Sequence, residues 1–98
     1  MPGRNVAALL APMVAGQQST RLTSSGVVSS QAGFLSGVFV ASGSSPTILF
    51  YDNASAASGT TLVNTFTPTT GWNPCPIPFA NGLYATIGGT IDASFIFS

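Results

Sequence analysis

The last seventeen residues, GLYATIGGTIDASFIFS at positions 82–98, alternate apolar and polar side chains on both sides of a glycine pair. This alternation is typical of two strands that each bury one face. A two-residue turn at the glycines would set Ile87 opposite Thr90 and would place apolar residues beside polar ones throughout. A three-residue loop pairs Ile87 with Ile91, and a one-residue slip exchanges the two faces of a strand. We therefore predict a hairpin with a three-residue loop. Its inward-facing residues are Leu83, Ala85, Ile87, Ile91, Ala93, Phe95 and Phe97.

The same kind of pattern extends over most of the 98-residue chain, which is short enough to be one domain. From residue 20 onward, short apolar segments are separated by clusters of Gly, Pro, Asn and Ser, as in sandwiches and barrels. We predict an all-β protein: a small antiparallel β-sandwich, jelly-roll-like, over residues 20–98. An extended N-terminal arm over residues 1–19 precedes it. The predicted strands cover residues 20–29, 34–42, 46–52, 60–66, 75–80, 82–87 and 91–97.

The predicted arm is apolar but lacks the alternation of a strand. It contains NVAALLAPMVAG, residues 5–16, in which Pro12 interrupts any helix. The segment is too short to span a bilayer, which takes about 20 apolar residues. We expect the arm to lie on another surface, although a short helix over residues 6–11 is an alternative. The predicted contact residues are Val6, Leu9, Leu10, Met13 and Val14.

The strands predicted at 34–42 and 46–52 have apolar residues on both faces. Phe39, Leu49 and Tyr51 occupy the positions between the expected core residues. A strand in a small sandwich buries one face only, and a group of exposed apolar side chains normally marks an interface. We therefore predict that Phe39, Leu49 and Tyr51 contact another subunit. Coverage by the chain's own arm is the alternative.

The chain is almost without charge, and this limits its chemistry. Its only charged residues are Arg4, Arg21, Asp52 and Asp92, and it has no His. Two separated arginines cannot neutralise a phosphate backbone or an anionic membrane, so we expect neither nucleic acid nor membrane as a partner. Without His or Lys there is no usual base for a nucleophile, and two isolated aspartates do not make a metal site. We predict no catalytic residues, no metal and no cofactor. The single cysteine, Cys75, is interpreted as a small buried apolar residue.

Two local features allow a ligand or a modification. Trp72 lies in a predicted loop, and its ring could stack on a sugar together with Tyr84; alternatively, it anchors one end of the sandwich. Residues 53–55, Asn-Ala-Ser, match the N-glycosylation pattern. We interpret them instead as part of a loop in which Asp52 and Asn53 bond to the local backbone.

Two longer segments carry a resemblance to a known class of proteins. GFLSGVFVASGSSPTILFYDNASAASGTTLVNTFTP (residues 33–68) and PIPFANGLYATIGGT (76–90) resemble small all-β virion proteins encoded in tailed bacteriophage genomes. The most recognisable elements are TILFYDNASAASGT (47–60) and GLYATIGG (82–89). The resemblance implies a capsid decoration or cement protein with no enzymatic activity. It would be assembled in the host cytoplasm and located on the capsid surface.

The expected partners follow from this resemblance and from the apolar surfaces. They are further copies of the chain, with a trimer favoured, and the major capsid protein. The alternative function is a carbohydrate- or receptor-binding β-sandwich module of a phage tail or fibre, with Trp72 and Tyr84 at its site.

Overall fold

The structure, a computed structural model, describes residues 17–98 as one antiparallel sheet of six strands. No helix occurs within these residues. The predicted all-β class and the small antiparallel sandwich are confirmed. The arm residues Val6, Leu9, Leu10, Met13 and Val14 lie outside the described residues. The strands are β1 (Gln18–Leu22), β2 (Gly26–Ser29), β3 (Gly33–Tyr51), β4 (Thr61–Phe66), β5 (Gly71–Phe79) and β6 (Leu83–Phe97).

The centre of the sheet is the long antiparallel pair of β3 and β6. Their register runs from Leu35 opposite Phe97 to Tyr51 opposite Tyr84. Each end of β6 has its own outer neighbour, β1 beside the C-terminal half and β2 beside the N-terminal half. In the same way β5 pairs with the N-terminal half of β3, and β4 pairs with its C-terminal half. The sheet is therefore four strands wide at both ends.

This sheet folds over on itself, as the contact between Phe50 and Phe95 demonstrates. Phe50 lies opposite Ala85, and Ala85 is ten residues from Phe95 along β6. Ten residues of straight strand span about 33 Å, yet the two rings are 5.8 Å apart. The two halves therefore pack face to face. The first layer consists of β1, β5, residues 33–41 of β3 and residues 91–97 of β6; the second layer consists of β2, β4, residues 47–51 of β3 and residues 83–88 of β6.

The predicted hairpin at residues 82–98 is wrong. These residues form one strand that pairs with β3 along its whole length, and the glycine pair lies at the fold of the sheet rather than in a loop. The segments predicted at 34–42 and 46–52 are likewise one bent strand. The predicted inward face of residues 82–98 is correct except at one position, since Ile87 is only half-buried.

The bend at which the sheet folds over on itself coincides with irregular pairing in β3. This strand has 19 residues and β6 has 15, and the register between them shifts three times. Each shift adds one residue to β3, as β-bulges do, and bulges bend a strand and increase its twist. One shift lies between Ser44 and Thr47, where Ser45 has a φ of 49°. Opposite it, Gly89 has a φ of 71°.

The core lies between the two layers and draws on both. Its largest fully buried side chains come from β3 and β6, with smaller contributions from β2 and β5. Phe50 is at its centre and makes an edge-to-face contact with Phe95 and a tilted contact with Phe66. The largest fully buried residues are Phe50, Phe95, Leu35, Ile48, Leu83, Val38 and Val40.

Candidate functional site

The main surface feature is a group of aromatic side chains on the outside of the first layer. Within residues 17–98, the exposed large apolar side chains are Phe34, Phe39 and Trp72, at 43%, 47% and 50% exposure. Phe39 and Trp72 are direct cross-strand partners, and Phe34 lies opposite Pro78. We call Phe34, Phe39 and Trp72 the aromatic face. All three lie on the outer side of one layer, so they make up one candidate contact surface.

The indole of Trp72 lies against the sheet at Gly37. A Cβ atom added to Gly37 would stand 2.7 Å from Cη2 and 2.8 Å from Cζ2 of Trp72. Because Gly37 has no side chain, the ring can approach the backbone closely there, and Trp72 as a whole is 50% exposed. Trp72 is the second residue of β5, so its predicted place in a loop is wrong. Asn73 fixes the start of the strand by bonding through its side chain to the backbone of Thr69 and Gly71.

Prolines occupy the same outward side of β5. Trp72, Pro74, Pro76 and Pro78 alternate as exposed residues with buried or half-buried ones. β5 pairs only with β3, so its other side is a free edge of the sheet. Proline cannot donate a ladder hydrogen bond and is tolerated in a strand where its nitrogen points to such an edge. The edge therefore lacks three N–H donors, which disfavours the addition of a further strand there.

Within residues 17–98, the other predicted interface and ligand residues are Leu49, Tyr51 and Tyr84, and all three lie on the second layer. Leu49 and Tyr51 are half-buried, and their cross-strand partners are Thr86 and Tyr84. The predicted grouping of Phe39 with Leu49 and Tyr51 is therefore divided between two opposite surfaces. The predicted pairing of Trp72 with Tyr84 is divided in the same way. Sequence patterning showed which positions face outward but not which layer each belongs to.

The charged side chains of the first layer, Arg21 and Asp92, are paired with each other. Arg21 and Asp92 form a two-point ion pair, with Nε to Oδ1 at 2.8 Å and Nη2 to Oδ2 at 2.9 Å. The hydrogen bond from Arg21 lowers the pKa of Asp92. The pair stands beside the aromatic face, because Arg21 lies opposite Ser94 and Ser94 lies opposite Phe39. Among residues 17–98, the charged side chains beside the aromatic face therefore balance each other.

The remaining charged residue of residues 17–98, Asp52, joins the end of β3 to the connection between β5 and β6. Its Oδ1 accepts hydrogen bonds from the backbone N–H groups of Asn81 at 2.7 Å, Ala80 at 3.1 Å and Gly82 at 3.3 Å. These N–H groups, Asn81 first, lower the pKa of the carboxyl group. The prediction that the Asp52 side chain bonds to the backbone of its own loop is therefore wrong, because it bonds to Ala80, Asn81 and Gly82 across the fold.

We expect the stability of the protein to depend on pH only in acid. Because the folded pKa values of Asp52 and Asp92 are lowered, their contributions are complete above the unfolded value of 3.8 and are lost as the pH falls through the folded values. The chain has no His, Lys or Glu, so the Tm should change little between about pH 5 and pH 8. Thermal unfolding measured across a pH series tests this.

The variant Asp52→Asn distinguishes the contribution of Asp52 to stability from that of Asp92. An amide oxygen accepts more weakly than a carboxylate, so the Tm of this variant should fall at pH 7 and lose less on acidification than that of the wild type. Asp92→Asn is the control, because an exposed ion pair contributes little. If Asp52→Asn kept the wild-type Tm at pH 7, the carboxylate would not hold the connection.

Asn53 is engaged within the loop of residues 52–60. Its Oδ1 accepts the N–H groups of Ser55 and Ala56, each at 2.9 Å, and its Nδ2 donates to the Ser58 carbonyl at 3.0 Å. Nδ2 is the atom that a glycan would modify. These bonds agree with the structural interpretation of residues 53–55.

The described residues include no cluster of metal-ligating side chains. Among residues 17–98 no three His, Cys, Asp or Glu side chains lie close enough to hold a metal ion. Cys75 is half-buried in β5, and burial raises the pKa of its thiol, so the reactive thiolate is disfavoured at neutral pH. Within the same part of the chain there is no helix long and apolar enough to cross a bilayer.

Comparison of the chain with known protein families, with curated proteins and with solved structures finds no match.

Proposed function

We propose that this chain is a non-enzymatic structural protein of a bacteriophage virion that decorates or cements the capsid. It binds neighbouring copies, with a trimer favoured, and the major capsid protein at the capsid surface. The observation that carries the proposal is the aromatic face of Phe34, Phe39 and Trp72 on a layer whose charges are paired.

The properties of this face fit permanent assembly better than recognition of a charged ligand. Exposed aromatic rings with few charges nearby are the composition found at the centre of protein–protein interfaces. The proline-blocked edge of β5 directs a neighbour to the face of the sheet and not to its edge. The resemblance of residues 33–68 and 76–90 to phage virion proteins supplies the identity of the assembly.

A second candidate function is carbohydrate binding, which the position of Trp72 favours. Trp72 lies against Gly37, is 50% exposed and is the direct cross-strand partner of Phe39. Such a pair of rings could stack on a sugar chain of a receptor. Tyr84 is not part of this version, because it lies on the second layer.

We expect Phe39→Ser to weaken attachment to the capsid. A central aromatic residue of an interface typically contributes about 2 kcal/mol or more, so affinity for capsid shells prepared without this protein should fall by about 30-fold or more. Sedimentation of the shells with increasing amounts of protein gives the occupancy.

The matched control is Leu49→Ser on the second layer, which should leave occupancy near the wild-type level if the protein stays folded. Far-UV circular dichroism checks the fold of both variants. Equal occupancy for Phe39→Ser and wild type would remove the aromatic face from the proposal. Retention on a glycan column that is lost in Trp72→Ala would favour the carbohydrate-binding function instead.

A further inference from the structure

The aromatic face lies beside the point where the apolar N-terminal segment joins the sheet. Gln17 precedes β1, the outermost strand of the first layer. The register of β1, β6 and β3 places Gln17 next to Ser98, and Ser98 exchanges two backbone hydrogen bonds with Phe34 at 2.8 and 2.9 Å. Two strand spacings, about 10 Å, therefore separate Gln17 from Phe34 across the outer surface of the layer.

The length of the segment matches the dimensions of the face. Trp72 lies about 20 Å from Gln17, three strand spacings across the sheet and four residues along it. An extended chain covers about 3.3–3.6 Å per residue. Met13 and Val14 are thus close enough to reach Phe34. Leu9 and Leu10, eight and seven residues before Gln17, can reach Phe39 and Trp72.

We propose that residues 5–15 of the same chain dock on the aromatic face when the protein is free in solution. The segment is apolar and without charge, so it matches a face beside which the charged side chains of residues 17–98 are paired. Docking removes the exposed rings from water, which is favourable in proportion to the apolar area covered. A neighbouring subunit that binds the face displaces the segment. This inference concerns the isolated chain and does not depend on the virion proposal.

Trp72 provides the test, because it is the only tryptophan of the chain and lies on the face. The full-length double variant Leu9→Ser with Leu10→Ser should shift its fluorescence emission to longer wavelength and raise its quenching by acrylamide. Ala7→Ser with Ala8→Ser is the matched control and should change both properties much less. Phe39→Ser should itself raise quenching, and adding the two leucine substitutions to it should have little further effect. Far-UV circular dichroism verifies that each variant is folded.

The other outcomes identify other occupants. Quenching that is unchanged by the leucine substitutions would overturn the proposal. If the quenching of Trp72 then decreased as the protein concentration rises, a second copy of the chain would be covering the aromatic face. If Trp72 were equally open at all concentrations, the face would be free for a different partner. Effects of the leucine substitutions that are independent of concentration support docking within one chain.

Discussion

Replacing Phe50 with alanine is expected to lower the free energy of unfolding by about 3–5 kcal/mol, the usual cost of removing a fully buried phenylalanine. Phe50 has no exposed surface and is the side chain through which the second layer meets Phe95 of the first. It also contacts Phe66 of β4 at a ring distance of 6.2 Å. Domains of this size have a total stability of about 5–15 kcal/mol, so the variant should be close to unfolding. Urea unfolding followed by circular dichroism measures the difference.

The matched control is Phe34→Ala, which makes the same chemical change at a position that is 43% exposed. Its expected cost is clearly smaller, about 1 kcal/mol or less. Comparable losses for the two variants would contradict the packing of the layers through Phe50. If both variants keep the wild-type m value, the slope of the free energy of unfolding against urea concentration, their unfolded states expose the same surface as that of the wild type.

The alternation in residues 82–98 was enough to assign the inward face but not the path of the chain. Every predicted inward residue has an odd number, and every second residue of an uninterrupted strand also faces one way. A three-residue loop preserves this parity, so a hairpin and a continuous strand place the same side chains inside. The glycine pair favoured a turn, whereas its actual role is to let β6 pass close to β3 at the fold.

The pairing of β3 with β6 could not be predicted, because it joins segments far apart in the sequence. Three bulges change which residues of β3 face outward, and nothing in SGSS or GFLSG fixes where those extra residues lie. The division of Phe39 from Leu49 and Tyr51 follows from the fold of the sheet between them. A sequence pattern records the faces of a strand but not a bend that carries them to opposite sides of the molecule.

Sequence reasoning identified Trp72 and Phe39 separately, but it missed Phe34 and did not place Trp72 in a strand beside Phe39. TPTTGWNP was interpreted as a loop because it is rich in turn residues, and the strand begins within it at Gly71. The alternation of Trp72, Pro74, Pro76 and Pro78 with less exposed residues was present in the sequence. Prolines at every second position are compatible with an edge strand, and this was the available signal.

Replacing Gly89 with alanine is expected to prevent the sheet from folding over normally and to lower the free energy of unfolding by more than about 3 kcal/mol. Gly89 has a φ of 71°, a conformation that costs other residues about 1–2 kcal/mol. Its added Cβ would also meet the carbonyl oxygen of Ser45 and would stand 2.9 Å from that of Ser44. Both contacts are with backbone at the bend of β3, so neither can be relieved by rotating a side chain.

Gly71→Ala is the matched control, because Gly71 also has a positive φ, 104°, but has no atom within 4 Å of an added Cβ. Gly71→Ala should therefore lower the free energy of unfolding by the conformational cost alone, about 1–3 kcal/mol, with no steric contribution. Urea unfolding of the two variants separates the contributions. If Gly89→Ala were no less stable than Gly71→Ala, close approach of β3 and β6 would not determine the fold of the sheet. A larger loss at Gly89 that also weakens the effect of Phe50→Ala would show that the bend and the contact between the layers act as one unit.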